Sequence, residues 1–135
     1  MLSPKKEVVH DNNVPPAIGP YSMAIRLGGM VYTSGQLGIQ KETGELAPGG
    51  IEAETRQALT NLRSILESAG SSMGHVVKTT IFLRDMNDFP RVNAIYGEYF
   101  PEPFPARSTV QVAALPKGGA VEVEAVAVLA TQPGE

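Results

Sequence analysis

Apolar and polar positions alternate along the chain in two periods, one of strands and one of helices. Ser22 to Gln36 predicts a β-hairpin, because SMAIRL and MVYTSGQ flank Gly28-Gly29, a pair able to take the positive φ values of a two-residue turn. A second turn at Lys41 to Glu45 (KETGE) and the breaker Pro48-Gly49-Gly50 follow. Apolar residues then recur at Ile51, Ala58, Leu59, Leu62, Ile65, Leu66 and Ala69, the period of an amphipathic helix. Glu52 and Glu54 sit in its first turn, where the macrodipole favours negative charge, and Gly70 follows its last apolar residue.

Val76 to Leu83 (VVKTTIFL) is β-branched and of strand length, ending at the turn-prone Arg84-Asp85-Met86-Asn87. A second helix is predicted next, with Asp88 as cap, Pro90 in the first turn, and an apolar face of Phe89, Val92, Ile95, Tyr96, Tyr99 and Phe100. Pro101, Pro103 and Pro105 end it. Arg107 to Ala114 and Ala120 to Ala130 are the last two strands, parted by LPKGG. The order is ββαβαββ over a single domain of residues 1–135, an α+β fold whose Val76 to Ala114 portion forms a right-handed parallel crossover. Both helices then cover one face of a mixed sheet. The other face needs a cover, and the apolar alternation of Val121, Val123, Ala125 and Ala127 predicts burial between subunits.

Composition narrows the chemistry. The 135 residues contain no cysteine, which excludes disulfides, thiolate metal sites and a cysteine nucleophile. Glycine and proline, 14 and 11 residues, imply many turns rather than disorder. The longest apolar run, Ala125 to Ala130, is far short of the ~20 residues that span a bilayer, and MLSPKKEVVH has no apolar segment behind its lysines. The expectation is a soluble, cytoplasmic protein. A net charge of -3 without a Lys/Arg cluster argues against nucleic-acid partners, whose phosphates demand concentrated positive charge. His10 and His75 are isolated, so no metal site is predicted.

Two charged residues interrupt strands that otherwise look apolar. Arg107 shares a strand face with Thr109 and Gln111, and its planar guanidinium suits bidentate capture of a carboxylate; from this residue alone, a salt bridge to a neighbouring acid is the preferred reading. Glu122 and Glu124 share a face with Val126 and Val128. A carboxylate in such surroundings has a raised pKa and suits proton transfer, unless both acids merely solvate a strand end. Whether the Arg107 and Glu122 faces coincide depends on strand order. Gly35, in Tyr32-Thr33-Ser34-Gly35-Gln36, would let a ligand approach the backbone closely, or marks a simple turn. Ser34 lacks a histidine to act as its base. Tyr21 and Asn93 either line a cleft or pack.

Five segments together resemble the RidA (YjgF) family of reactive-intermediate deaminases: AIGPYS (17–22), YTSGQLG (32–38), TRQALTNL (55–62), VVKTTIFLRDMNDFPRVNAIY (76–96) and FPARSTVQVAALPKGGAVEVEAVA (104–127). The resemblance implies a chorismate-mutase-like fold, a homotrimer with clefts between subunits, and cofactor-free hydrolysis of 2-imino acids or their enamine tautomers to 2-oxo acids and ammonia. It implies that Arg107 grips the substrate carboxylate and that Glu122 activates water. Gly35 and Thr109 would steady the ligand through backbone N–H groups, with Tyr21, Ser34 and Asn93 lining the cleft. Thr109 stands where many members have cysteine. A non-catalytic trimer that binds small 2-oxo acids is the alternative, and ribonuclease activity, linked to the family's older names, conflicts with the acidic balance.

Overall fold

A computed structural model describes residues 5–130. Its seven strands are β1 (Glu7–Val8), β2 (Ala24–Leu27), β3 (Met30–Thr33), β4 (Gln36–Leu37), β5 (Val76–Leu83), β6 (Ala106–Gln111) and β7 (Val121–Val128). Two α-helices, α1 (Ile51–Ser68) and α2 (Phe89–Tyr99), complete the α+β architecture. The spatial order is β1-β2-β3-β7-β5-β6, with β4 also pairing β7. Only β5 and β6 run parallel among the paired strands, as a strand, helix, strand crossover requires. Among the described residues no helix is long and apolar enough to cross a membrane.

The sequence pattern misses β1 and β4, each of two residues and too short to carry a period. It also overextends the last strands, since β6 stops at Gln111 and β7 at Val128. Asp88 stands at the N-cap of α2, but its carboxylate accepts from Arg91 Nη2 at 2.7 Å rather than from a backbone N–H. The cap falls instead to Asp85, which accepts from the Asn87 N–H and closes the preceding turn.

β7 is the axis of the sheet. Val121, Val123, Ala125 and Ala127 are buried, packed with Leu59, Leu62 and Ile65 of α1 in one core cluster. The expectation that these four residues form a subunit contact is therefore overturned: the helix layer already covers them. Glu122, Glu124, Val126 and Val128 occupy the opposite, half-exposed face, with Tyr32 beside Val126 and Phe82 beside Glu122. That face is the uncovered one, and it mixes carboxylates with apolar side chains.

Three polar residues of α1 are buried: Thr55, whose hydroxyl donates back to the Ile51 carbonyl, and Glu54 and Asn61, spaced with Ala58 and Ile65 along one face. Glu54 is 8% exposed, and its Oε1 accepts the backbone N–H of Ala120 at 2.9 Å, fixing the chain just before β7. Asn61 Nδ2 donates to the carbonyls of Leu37 and Ile39 beside β4. Removing the Glu54 acceptor leaves a buried N–H unpaired. Glu54→Ala is expected to cost about 1–3 kcal/mol, read as a lower urea midpoint, and Glu54→Gln to recover most of it. Equal midpoints for Glu54→Ala and the parent would show that the bond contributes nothing.

Candidate active site

The chain leaves the β7 ladder at Ser34 and Gly35. β3 pairs with the second half of β7, Tyr32 opposite Val126, and β4 with the first half, Leu37 opposite Glu122. Between them Thr33 Oγ1 accepts the Ala125 N–H at 3.0 Å in place of a backbone carbonyl. Ser34 donates its hydroxyl to the Ser22 carbonyl at 2.6 Å, and its N–H bonds the Met23 carbonyl. These bonds clip the Tyr21 segment against the bend. The Ser34 hydroxyl hydrogen is thus engaged by backbone.

Gly35 is required by a close approach. A Cβ there would lie 2.7 Å from the carboxyl carbon of Glu122, so the space over this glycine is taken by the Glu122 side chain. The sequence-based expectation of ligand access to Gly35 is modified accordingly: the carboxylate itself is held against the bend. Burial pushes the Glu122 carboxyl above the usual range, and the neighbouring Glu124 charge adds to the effect.

Glu122 borders a cavity of about 520 Å³ that Tyr21, Ser34 and Gly35 also line. Its walls are otherwise largely apolar, from Pro16, Ile18, Met23 and Leu37, while Lys41 and Lys117 stand at its border. Lys117 has φ 58°, a left-handed conformation unusual for a side-chain-bearing residue, and its Nζ donates to the Gly44 carbonyl at 3.2 Å. The bond ties the LPKGG loop to the KETGE turn. Sequence reasoning passed over both lysines; the polar stripe positions of α1 were the readable signal for Glu54 and Asn61.

Arg107 lies elsewhere. It pairs in register with Thr79, whose side chain is buried on the helix side, whereas Glu122 pairs with Phe82 on the open side. Within one chain the two residues are therefore two strands apart and on opposite faces of the sheet. Arg107 Nη1 donates to Asn93 Oδ1 at 2.7 Å, and the guanidinium carbon sits 4.8 Å from the Tyr96 ring centre and 5.2 Å from that of Phe89. Among the described residues no carboxylate lies within ion-pair distance of it; the ion pairs are Arg26 with Glu7, Arg56 with Glu98 and Arg91 with Asp88. Burial raises the Tyr96 phenol above its ordinary pKa, even though its hydrogen bond with Thr79 and the Arg107 charge pull it down. The phenol stays neutral, and the arginine's charge is not compensated.

Thr109, two residues on from Arg107 and on the same face, has a buried Oγ1 with no hydrogen-bond partner among the described residues. Arg107 and Asn93 share a concavity of about 390 Å³ with Tyr96, Gly97, Phe104 and Pro105. Gly97 lies inside α2, one turn beyond Asn93, and a Cβ built on it meets no atom within 4 Å outside its own helix. Glycine in a helix interior costs about 0.8–1.0 kcal/mol relative to alanine, yet no packing contact among the described residues requires it.

A family profile described as endoribonuclease L-PSP matches residues 11–129. The chain belongs to the RidA (YjgF) family. A Bos taurus relative named 2-iminobutanoate/2-iminopropanoate deaminase is 50% identical over 128 residues, covering 95% of this chain and 93% of its own. A crystal structure of a Rid-family protein from Yersinia pestis superposes with a TM-score of 0.90 at 48% identity, covering 93% of this chain and all of the other. That of E. coli TdcF with bound serine gives 0.87 at 41% identity, covering 92% and 99%. The geometry divides the sequence-predicted residues into two groups on opposite faces of the sheet: Tyr21, Ser34, Gly35 and Glu122 around one cavity, Asn93 and Arg107 at another with Thr109 two residues on.

Proposed function

We propose that this protein is a cytoplasmic homotrimer that hydrolyses 2-imino acids, such as 2-iminobutanoate and 2-iminopropanoate, to 2-oxo acids and ammonium. The unpaired guanidinium of Arg107 carries the reading. A cation fixed by Asn93 and two aromatic rings, with no acid at ion-pair distance among the described residues, is prepared for an external carboxylate. The deaminase relative supplies the substrate class, and TdcF, solved with serine, has a small amino acid as its ligand. Because Arg107 and Glu122 face away from each other within a chain, the reaction needs the Arg107 half-site of one subunit against the Glu122 half-site of the next. A cyclic trimer, whose interfaces are head-to-tail, supplies three such junctions.

In the assembled cleft, Arg107 holds the carboxylate of the iminium form. Glu122, ionised, takes a proton from water while the water oxygen bonds to C2. The C=N π pair moves onto nitrogen and gives a carbinolamine. The Glu122 proton then passes to nitrogen; as the C–N bond breaks, the ionised Glu122 takes the hydroxyl proton, leaving the C2 carbonyl, and hands it to the departing ammonia, which leaves as ammonium. Iminium and water have become 2-oxo acid and ammonium. No external oxidant or cofactor enters the balance. The Thr109 hydroxyl and backbone N–H groups near Gly35 steady the developing oxygen, and Tyr21 and Asn93 border the ligand. Imines hydrolyse unaided, so positioning and one general base, the latter worth about 10²–10⁴-fold, are sufficient catalysis.

The test is direct. With threonine and a threonine dehydratase as the source of 2-iminobutanoate, the purified protein is expected to speed imine loss in proportion to its concentration. A protein that binds 2-oxobutanoate without any acceleration is a 2-oxo acid binder, and the enzymatic reading fails.

A further inference from the structure

We propose that Asn61, on α1, is a positioning residue for Glu122: it ties β4 to the helix and so holds the Ser34-Gly35 bend against the Glu122 carboxylate. The inference rests on the deaminase reading and adds a residue to its machinery. β4 has only two residues, and its pairing with β7 sets Gln36 opposite Val123 and Leu37 opposite Glu122. So short a ladder is marginal on its own. The Glu122 side chain in turn rests on Gly35, the residue just before β4, so whatever fixes β4 also fixes the floor under the carboxylate.

Asn61 is 3% exposed, and its Nδ2 donates to the Ile39 carbonyl at 2.9 Å and to the Leu37 carbonyl at 3.3 Å. Gly38 lies between those two acceptors and against α1, where a Cβ would overlap the Glu54 backbone carbonyl. The chain is thus pinned on both sides of the point where it touches the helix. Gln57, one turn earlier on α1, donates to Asn61 Oδ1 at 2.8 Å and orients the amide. Asn61 also borders the Glu122 cavity, but both of its amide hydrogens are engaged by backbone, so it acts on the site through β4. Without it two carbonyls lose their donor, and the bend is free to drift from Glu122 and admit water. The titratable groups around that carboxylate are Glu124 on its own strand and Tyr21, Lys41 and Lys117 on the cavity wall, while Arg84, just after β5, donates to the Gly118 carbonyl at 2.6 Å. Asn61→Ala alters none of them.

Asn61→Ala is expected to lower kcat on 2-iminobutanoate by about 10–100-fold, the cost of a misplacement on the order of 1 Å, while 2-oxobutanoate binds with about the parent's affinity. With burial relaxed, Glu122 titrates nearer an ordinary glutamate, so the acid limb of the rate profile should move to lower pH. Gln57→Ala, at a half-buried position, should move kcat and the limb the same way to a smaller extent. Thr60→Val is the control: it breaks the 2.9 Å hydroxyl bond with Tyr99 that joins α1 to α2, and should lower the melting temperature while leaving kcat and the acid limb in place. A folded Asn61→Ala with either the parent's kcat or the parent's acid limb overturns the positioning role. A loss of 2-oxobutanoate binding in step with kcat, or a Thr60→Val that shifts both readouts equally, overturns it too. Where Asn61→Ala does not fold, a parent-like Gln57→Ala does the same. A parent inactive on 2-iminobutanoate overturns the deaminase reading itself, and the role of Asn61 falls with it.

Discussion

Arg107→Lys is expected to keep the fold and to lower kcat/KM on 2-iminobutanoate by about 10–100-fold, the loss of one hydrogen bond to a charged group. Lysine retains the charge but not the fork. It cannot donate to Asn93 and to both carboxylate oxygens in one plane, and it forfeits the planar stacking over Tyr96 and Phe89. Because no ion pair among the described residues is broken, the melting temperature should fall only by what the Asn93 bond and the ring contacts contribute, a few degrees, while the rate falls far more, which separates a binding defect from a folding defect. Arg107→Ala should be more severe, since it removes the charge as well. Its rate should also become insensitive to whether the substrate bears a carboxylate. If Arg107→Lys works at the parent's rate, the guanidinium serves only to pack against α2.

Much of this geometry was legible in the sequence, and the reasons for the exceptions are physical. Long periodic segments specify themselves: the α1 stripe and the Val76 to Leu83 strand stand where the pattern puts them, because burial of one face fixes both period and register. β1 and β4 hold two residues each and owe their pairing to partners remote in sequence. The two faces of β7 illustrate the deeper limit. Alternation identified Val121, Val123, Ala125 and Ala127 as one set, but a period of two does not say which set meets the helices. Only the order β3-β7-β5, with α1 above it, decides that. The same ambiguity hid the separation of Arg107 from Glu122, which a single strand's alternation cannot reveal.

Glu122→Gln is expected to lower the rate by about 10²–10⁴-fold, the span of a lost general base, while a 2-oxo acid still binds through Arg107. The same change should make the protein more stable at neutral pH. Glu122 has a folded pKa raised by burial, with no cation among the causes. Between the ordinary carboxylate pKa and that raised value the native state holds more protons than the unfolded chain. Stability therefore falls as pH rises through this window, and the cost persists above it. Glutamine is never charged, so its melting temperature should exceed the parent's at pH 7, the advantage vanishing below the ordinary carboxylate range, where both side chains are neutral. The parent's rate should decline in acid with an apparent pKa above that of an ordinary glutamate, and the variant's residual rate should lack this limb. A variant that turns over like the parent removes Glu122 from the base role. Mixing supplies the geometric half of the test. Arg107→Ala and Glu122→Gln chains, each nearly inactive alone, are unfolded together and refolded as hybrids. If the cleft joins Arg107 of one subunit to Glu122 of the next, each hybrid trimer regains one intact site of three. Random assembly makes three trimers in four hybrid, so about a quarter of the parent's activity should return. A site built within one chain would regain none, since no chain in the mixture carries both residues.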